Sequence, residues 1–271
     1  MKKLFAGMFT VIAATVLASA PAFGQAAAAG ARTAIPRMAG KPDFTGVWAG
    51  PGFTHKIGPS DTEANVIQRY PTNIMSPFQP GGEKLFHPDP TGDMAKDDAL
   101  SLCMPVGIPR SITGPFAQQW VQTPTQIAVL YEWFRTWRTI PLDGRPHAKD
   151  LDLTWFGDSV GKWEGDTLVI DTVGLKSWTL DETVNEFPSN NPNSKQPRIA
   201  GRWHSDALHV VERVKYTTPM SASYDITIDD PKIFTKPWTW NSSMNLHPNW
   251  QLLEMICEEN NRCLGGKCKG N

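Results

Sequence analysis

The chain has almost no excess of charge of either sign, no apolar run after residue 24 long enough to span a bilayer, no C-x-x-C pair and hardly any helical periodicity. Each shortage narrows the field. A formal net charge of −1 leaves no electrostatic footprint for nucleic acid, so none is expected as a partner. Without a second long apolar stretch, no membrane helix is expected once the first 24 residues are set aside. Without C-x-x-C, the four cysteines do not read as a zinc site. Without the 3.6-residue repeat, a helical domain is excluded.

What is present begins with an export signal. Met1-Lys2-Lys3 is a short cationic segment, Leu4 to Ala20 is apolar, and Ala22-Phe23-Gly24 puts small residues where a signal peptidase needs them. Residues 1–24 are therefore expected to be a signal peptide cleaved before Gln25, which sends the protein to the periplasm or the cell exterior. No cysteine lies near the cleavage point, so no lipid anchor is expected, nor any membrane contact after cleavage. Residues 25–40, rich in Ala and Gly, read as a disordered leader. Residues 41–271 read as a single β domain.

An even cysteine count in an oxidising compartment reads as two disulfides with three possible connectivities. Cys263 and Cys268 enclose the turn Leu264-Gly265-Gly266-Lys267, which suits a small local loop. That leaves Cys103 for Cys257, joining the middle of the chain to its last expected strand.

Between Gly50 and Ser111 the chain is rich in Pro, Gly and Asp, with a helical turn or two expected only near Asp61 to Tyr70. This stretch reads as a long ordered loop pinned by Cys103. From Trp120 onward the pattern becomes that of strands. A run begins at Ile127 and extends through Trp133, and Thr154 to Trp163 and Thr167 to Val173 flank the hairpin loop Glu164-Gly165-Asp166. Leu208 to Tyr216, Ser223 to Asp229, Thr235 to Asn241 and Gln251 to Cys257 follow, and Thr45 to Ala49 precedes them all. Sequential hairpins of this kind predict an all-β antiparallel meander closing into a barrel, with a β-sandwich as the alternative.

Two resemblances bear on this. Phe44-Thr45-Gly46-Val47-Trp48 resembles the Gly-x-Trp of the first strand of lipocalins and related calycin barrels, which implies a lipocalin-like barrel whose closed end is plugged by the Trp. Four blocks resemble an uncharacterised family of exported bacterial proteins. They are Leu142-Asp143-Gly144-Arg145-Pro146-His147, the run from Gly161 to Val169, His204-Ser205-Asp206-Ala207-Leu208-His209, and Thr235-Lys236-Pro237-Trp238. That resemblance implies export and brings no reaction.

Several groups of residues could carry chemistry. Gly157-Asp158-Ser159-Val160 resembles the Gly-Asp-Ser block of GDSL esterases, with Asp206-Ala207-Leu208-His209 standing for their later Asp-x-x-His. The mid-chain position of Ser159 and the absence of a strand-to-helix elbow argue against that reading. His204, His209 and Glu212 are ligand types for zinc or iron, but alternation along a strand sends His209 and Glu212 to opposite faces, so no metal ion is assigned. Glu212 shares a largely apolar face with Val210, Val214 and Tyr216, where burial makes it a candidate acid or base unless Arg135 or Arg138 pairs with it. In the turn Asp143-Gly144-Arg145-Pro146-His147, Arg145 and His147 are placed to hold an anion or move a proton. Eleven tryptophans supply aromatic surface, and Trp133, Trp137, Trp155, Trp238 and Trp240 all fall on expected strands.

These readings converge on a pocket. Its expected acid–base groups are His209, Glu212 and His147, and its expected ligand contacts are Tyr131, Arg135, Arg145 and His204. The expected function is to hold a small apolar or aromatic molecule in a β-barrel. The alternative is an enzyme (a lyase, isomerase or hydrolase) that uses the same pocket on a small aromatic substrate. No cofactor is assigned.

Overall fold

The computed structural model describes residues 32–50, 76–86, 88, 102–114, 116–180, 202–259 and 261. The expected signal peptide, the helical turn near Asp61 to Tyr70, and Cys263 with Cys268 lie outside the described residues.

Alternation of side chains decides what faces inward. Along the strand His209–Thr218, Val210, Glu212, Val214 and Tyr216 are buried, while His209, Val211, Arg213 and Lys215 are on the other side. Along Ser221–Asp229, Ala222, Tyr224, Ile226 and Ile228 are buried in the same way. Residues of this type, β-branched and aromatic on one face, suit a half-buried pleated strand.

Thirteen described strands arise in this way. They are β1 (Arg37–Met38), β2 (Lys41–Pro42), β3 (Gly46–Ala49), β4 (Gln118–Gln122), β5 (Gln126–Tyr131), β6 (Thr136–Pro141), β7 (Asp158–Glu164), β8 (Thr167–Val173), β9 (Trp178–Thr179), β10 (Trp203–His204), β11 (His209–Thr218), β12 (Ser221–Asp229) and β13 (Trp238–Leu246). The pairs β1–β2 and β9–β10 are small separate antiparallel pairs. The other nine form one antiparallel sheet in the order β6-β5-β4-β3-β13-β12-β11-β8-β7. It curls into a nearly closed barrel, so the barrel, not the sandwich, is the architecture.

The pairing of β13 with β3 joins the last strand to the first, which leaves β6 and β7 as the two edges. Nine antiparallel neighbours in a ring cannot alternate all the way round. The two edge strands therefore run in the same direction, and the 16-residue connection 142–157 must return along the barrel before β7 starts. The seam is filled by packing instead. A Cβ on Gly161 of β7 would lie 2.6 Å from Leu142 and 2.9 Å from Ile140, so glycine is what lets these edges approach.

One end of the barrel is plugged by aromatic rings. Phe44 stacks on Tyr216 at 4.6 Å between centroids, and the fully buried Trp48 donates from Nε1 to the Phe44 carbonyl at 2.8 Å. Full burial of such a side chain contributes roughly 1.5–3 kcal/mol. The other end is covered by the described parts of the 50–111 stretch, which hold two short helices, α1 (Gly82–Phe86) and α2 (Arg110–Thr113). There Phe86 and Phe78 pack with Phe234, and Arg110 lies 5.3 Å from the Trp133 ring.

Three expectations are corrected. Residues 32–40 belong to the fold rather than to a disordered leader: Arg37 and Met38 pair with β2, and Arg32 donates to the Thr45 carbonyl at 2.9 Å. The run through Trp133 stops at Tyr131, because Glu132–Arg135 turns the chain with Phe134 and Arg135 both at positive φ. Gln251 to Cys257 is not a strand. Among the described residues it pairs with no strand, and β3 takes only Asn245 and Leu246 of β13. It runs over the surface with Leu253 exposed, its Leu253 N–H bonding Glu132 at 2.9 Å and Cys257 bonded to Cys103. That Cys103–Cys257 pair is the one expected, 154 residues apart in sequence. No described helix is long and apolar enough to cross a membrane.

Candidate functional site

Hairpin register brings four polar side chains together inside the barrel. Glu212 points inward from β11 and is 0% exposed. Arg138 points inward from the edge strand β6 and is 4% exposed. They meet across the interior as a bidentate pair, Nη1 to Oε1 at 2.7 Å and Nη2 to Oε2 at 2.6 Å. Tyr224, two positions off register from Glu212 on neighbouring β12, donates its hydroxyl to Oε2 as well. Tyr131 on β5 lies diagonally from Arg138, since Val129 is the direct partner of Arg138 and Thr136 that of Tyr131. The Tyr131 ring stacks on Phe156 at 5.9 Å, and Trp120 meets Tyr224 edge to face at 6.2 Å.

The electrostatics follow from burial. Desolvation pushes the Tyr131 hydroxyl well above its ordinary range; the Arg138 charge opposes this and the Glu212 charge adds to it. Tyr224 is raised for the same first reason, with Glu212 next. Burial alone would lower Arg138, but the Glu212 carboxylate more than restores it, so the guanidinium stays charged. Both phenols are therefore fixed as neutral donors around one neutralised ion pair. Two donors remain unused. Tyr131 Oη and Arg138 Nε are buried and neither makes a hydrogen bond of normal geometry among the described residues, although the Arg138 guanidinium is near enough to act on the phenol oxygen, which leaves the phenol O–H itself to give. An unpaired buried donor normally costs about 1–3 kcal/mol.

The histidines do not join this cluster. His209 faces outward, as alternation requires, with Nε2 2.8 Å from Asp171 Oδ1. His147, on the 142–157 connection, spans Asp158 at 2.8 Å and Asp171 at 3.1 Å. This two-His, two-Asp group clasps the connection to the outer face of β7, β8 and β11, on the opposite side of the sheet from Glu212. Among the described residues, no three or more His, Cys, Asp or Glu side chains are arranged to hold a metal ion.

The remaining expected residues are scattered. Arg135 is exposed in the β5–β6 turn, 3.7 Å from Glu254. Arg145 folds back on Asp143, donating at 2.6–3.2 Å and holding that carboxyl down at about 2. His204 is buried near the covered end, where desolvation pushes it down to about 4 despite a 2.9 Å contact of Nδ1 with the Ser205 carbonyl. Ser159 is buried and shares a 2.9 Å hydrogen bond with Thr172, while Asp206 pairs with Lys232. Ser159, His209 and Asp206 therefore form no triad. Of the five tryptophans placed on strands, Trp238 is core, Trp240 packs against the core, Trp133 sits in a turn, Trp155 precedes β7, and Trp137 is 64% exposed on the outer face of β6.

Thus Tyr131 and Glu212 are brought together, and Arg135, Arg145, His147, His204 and His209 are elsewhere. The members that sequence reasoning left out of the site are Arg138, named only as a partner for Glu212, and Tyr224. The signal for Tyr224 was present: it alternates with Ile226 and Ile228, and a tight hairpin sets it beside Glu212. Comparison with protein-family models, with curated proteins and with solved structures finds no match to this chain.

Proposed function

We propose that this is an exported protein that holds one small, largely apolar molecule inside its barrel, beside the Arg138–Glu212 pair. The observation that carries the reading is the pair of unused donors, Tyr131 Oη and Arg138 Nε, both buried among the aromatic and aliphatic side chains of the barrel interior. Buried polar groups are rarely left unpaired, and an apolar site with a few convergent polar groups is the usual form of a small-molecule pocket. Export is supported by the amino-terminal pattern of residues 1–24 and by the Cys103–Cys257 disulfide, which suits an oxidising compartment. A calycin-like role fits the Gly46-Val47-Trp48 segment, whose Trp closes one end of the barrel.

Binding is favoured over acid–base turnover. Both oxygens of Glu212 are occupied by charge-assisted bonds, and the histidines that would share proton transfer lie outside the sheet. A general base must reach the proton it takes, and here the carboxylate is already engaged.

Titration with the neutral fluorophore N-phenyl-1-naphthylamine tests this. Saturable one-to-one binding with a blue-shifted emission is expected, and competition by other small apolar molecules should reverse it. Emission that rises without saturating would refute an interior site.

A further inference from the structure

The interior also specifies what its ligand must offer, and this step rests on the binding reading above. Arg138 meets Glu212 through Nη1 and Nη2, which leaves its Nε–H free. The Tyr131 hydroxyl, diagonal to Arg138 on the neighbouring strand, is free as well. Glu212 already accepts three hydrogen bonds, one on Oε1 from Arg138 and two on Oε2 from Arg138 and Tyr224. The site therefore presents two donors, holds its one carboxylate already engaged by three hydrogen bonds and carries no net charge.

Those three properties select a chemical class. A hydrocarbon would leave both donors unpaired. A carboxylate would bring a second anion to an arginine that Glu212 already neutralises, so its charge would be buried without compensation. An alcohol would accept from the donors but must also place its own O–H on a remaining lone pair of Tyr131 Oη or Glu212 Oε1, a constraint that a carbonyl escapes. A carbonyl oxygen has two lone pairs, no proton and no charge. We propose that the ligand is a small apolar molecule bearing a neutral carbonyl group (a ketone, ester, lactone or quinone), whose oxygen accepts from Tyr131 Oη–H and Arg138 Nε–H. The elevated phenol of Tyr131, raised first by burial, keeps that group a donor throughout the neutral range.

Isosteric probes test the class. Acetophenone and α-methylstyrene differ by an oxygen in place of a CH₂, benzoate adds the charge, and 1-phenylethanol adds the O–H; 2-acetylnaphthalene and 2-isopropenylnaphthalene repeat the comparison at a larger size. Calorimetric titration of wild type and Tyr131→Phe gives the affinities, and infrared spectroscopy gives the carbonyl stretch of the bound ketone. The wild type should bind each ketone about thirtyfold or more tightly than its hydrocarbon isostere, the scale of one charge-assisted and one neutral hydrogen bond together. Benzoate and 1-phenylethanol should be weaker than acetophenone. In Tyr131→Phe the preference should shrink to about tenfold, the scale of the remaining Arg138 bond, with the carbonyl stretch moving part of the way back toward its value in an apolar solvent. The variant loses an unpaired buried hydroxyl and so should melt no lower than wild type, which separates loss of a contact from loss of fold. Equal binding of ketone and hydrocarbon, tighter binding of benzoate or the alcohol, or an undiminished ketone preference in Tyr131→Phe would overturn the carbonyl inference while leaving interior binding intact. Failure of every probe at both sizes would overturn the interior site itself.

Discussion

Replacing Glu212 by Gln keeps the shape of the side chain and removes its charge. The consequence can be worked from the burial of its partner. Arg138 is 4% exposed and its two terminal nitrogens are both committed to Glu212 at 2.6–2.7 Å. Gln can return one carbonyl oxygen to that fork but no charge. The neutral hydroxyls of Tyr131 and Tyr224 cannot compensate a guanidinium. Stranding one member of a buried ion pair costs about 3–5 kcal/mol, a large share of the roughly 5–15 kcal/mol that holds a domain folded. Urea unfolding at pH 7, followed by tryptophan fluorescence with the disulfide intact, should show the midpoint of Glu212→Gln falling sharply with an unchanged slope. The double variant Arg138→Met/Glu212→Leu removes both charges and should recover most of the loss, within about 2 kcal/mol of wild type. His209→Ala, which touches only the half-exposed Asp171 contact, should cost less than about 1 kcal/mol. A loss below about 1 kcal/mol in Glu212→Gln would refute the reasoning, since it would mean that the pair is not desolvated.

Two further predictions concern the frame around the site. His204 titrates at about 4 when folded against 6.5 in the free side chain, chiefly through desolvation; because the folded value is the lower, its contribution is complete above pH 6.5 and is lost as pH falls toward 4. Between pH 7 and 4.5 this amounts to about 2–3 kcal/mol, so His204→Gln should lose less stability on acidification than wild type, and parallel urea curves at the two pH values would contradict this if they dropped equally. Non-reducing peptide mapping should find Cys103 joined to Cys257, and the double serine variant should lose about 2–5 kcal/mol of unfolding free energy; Cys103 joined to Cys263 or Cys268 would contradict the arrangement.

Much of the barrel was legible because alternation is a local property. The inward set of β11 and β12 could be counted directly, and the hairpin at Glu164-Gly165-Asp166 appears where its turn residues place it. Ring closure was less visible. That Arg138 rather than Arg135 reaches Glu212 depends on the turn at Glu132–Arg135, where two non-glycine residues take positive φ, a conformation no composition rule flags. The same turn moved Arg135 out of the strand and into solvent. The separation of His209 from Glu212 followed from a three-residue spacing, but the carboxylates that His209 and His147 find, Asp171 and Asp158, come from other strands and required the register of β7 and β8. The last expected strand failed for a non-local reason, because Glu132 and Cys103 hold Leu253 and Cys257 over the surface rather than along a strand.

The central claim is that a small apolar molecule lodges inside the barrel against Tyr131. The chain has only four tyrosines, so in samples labelled selectively at tyrosine, and separately at phenylalanine, tryptophan and leucine, the side-chain protons can be assigned with little overlap. Intermolecular nuclear Overhauser effects from bound N-phenyl-1-naphthylamine measure the contact directly. The account predicts cross-peaks to the Tyr131 ring and to the Phe156 ring stacked on it, and none to the exposed ring of Trp137. Cross-peaks confined to outward residues such as Trp137 and Leu253, with Tyr131 silent, would contradict it.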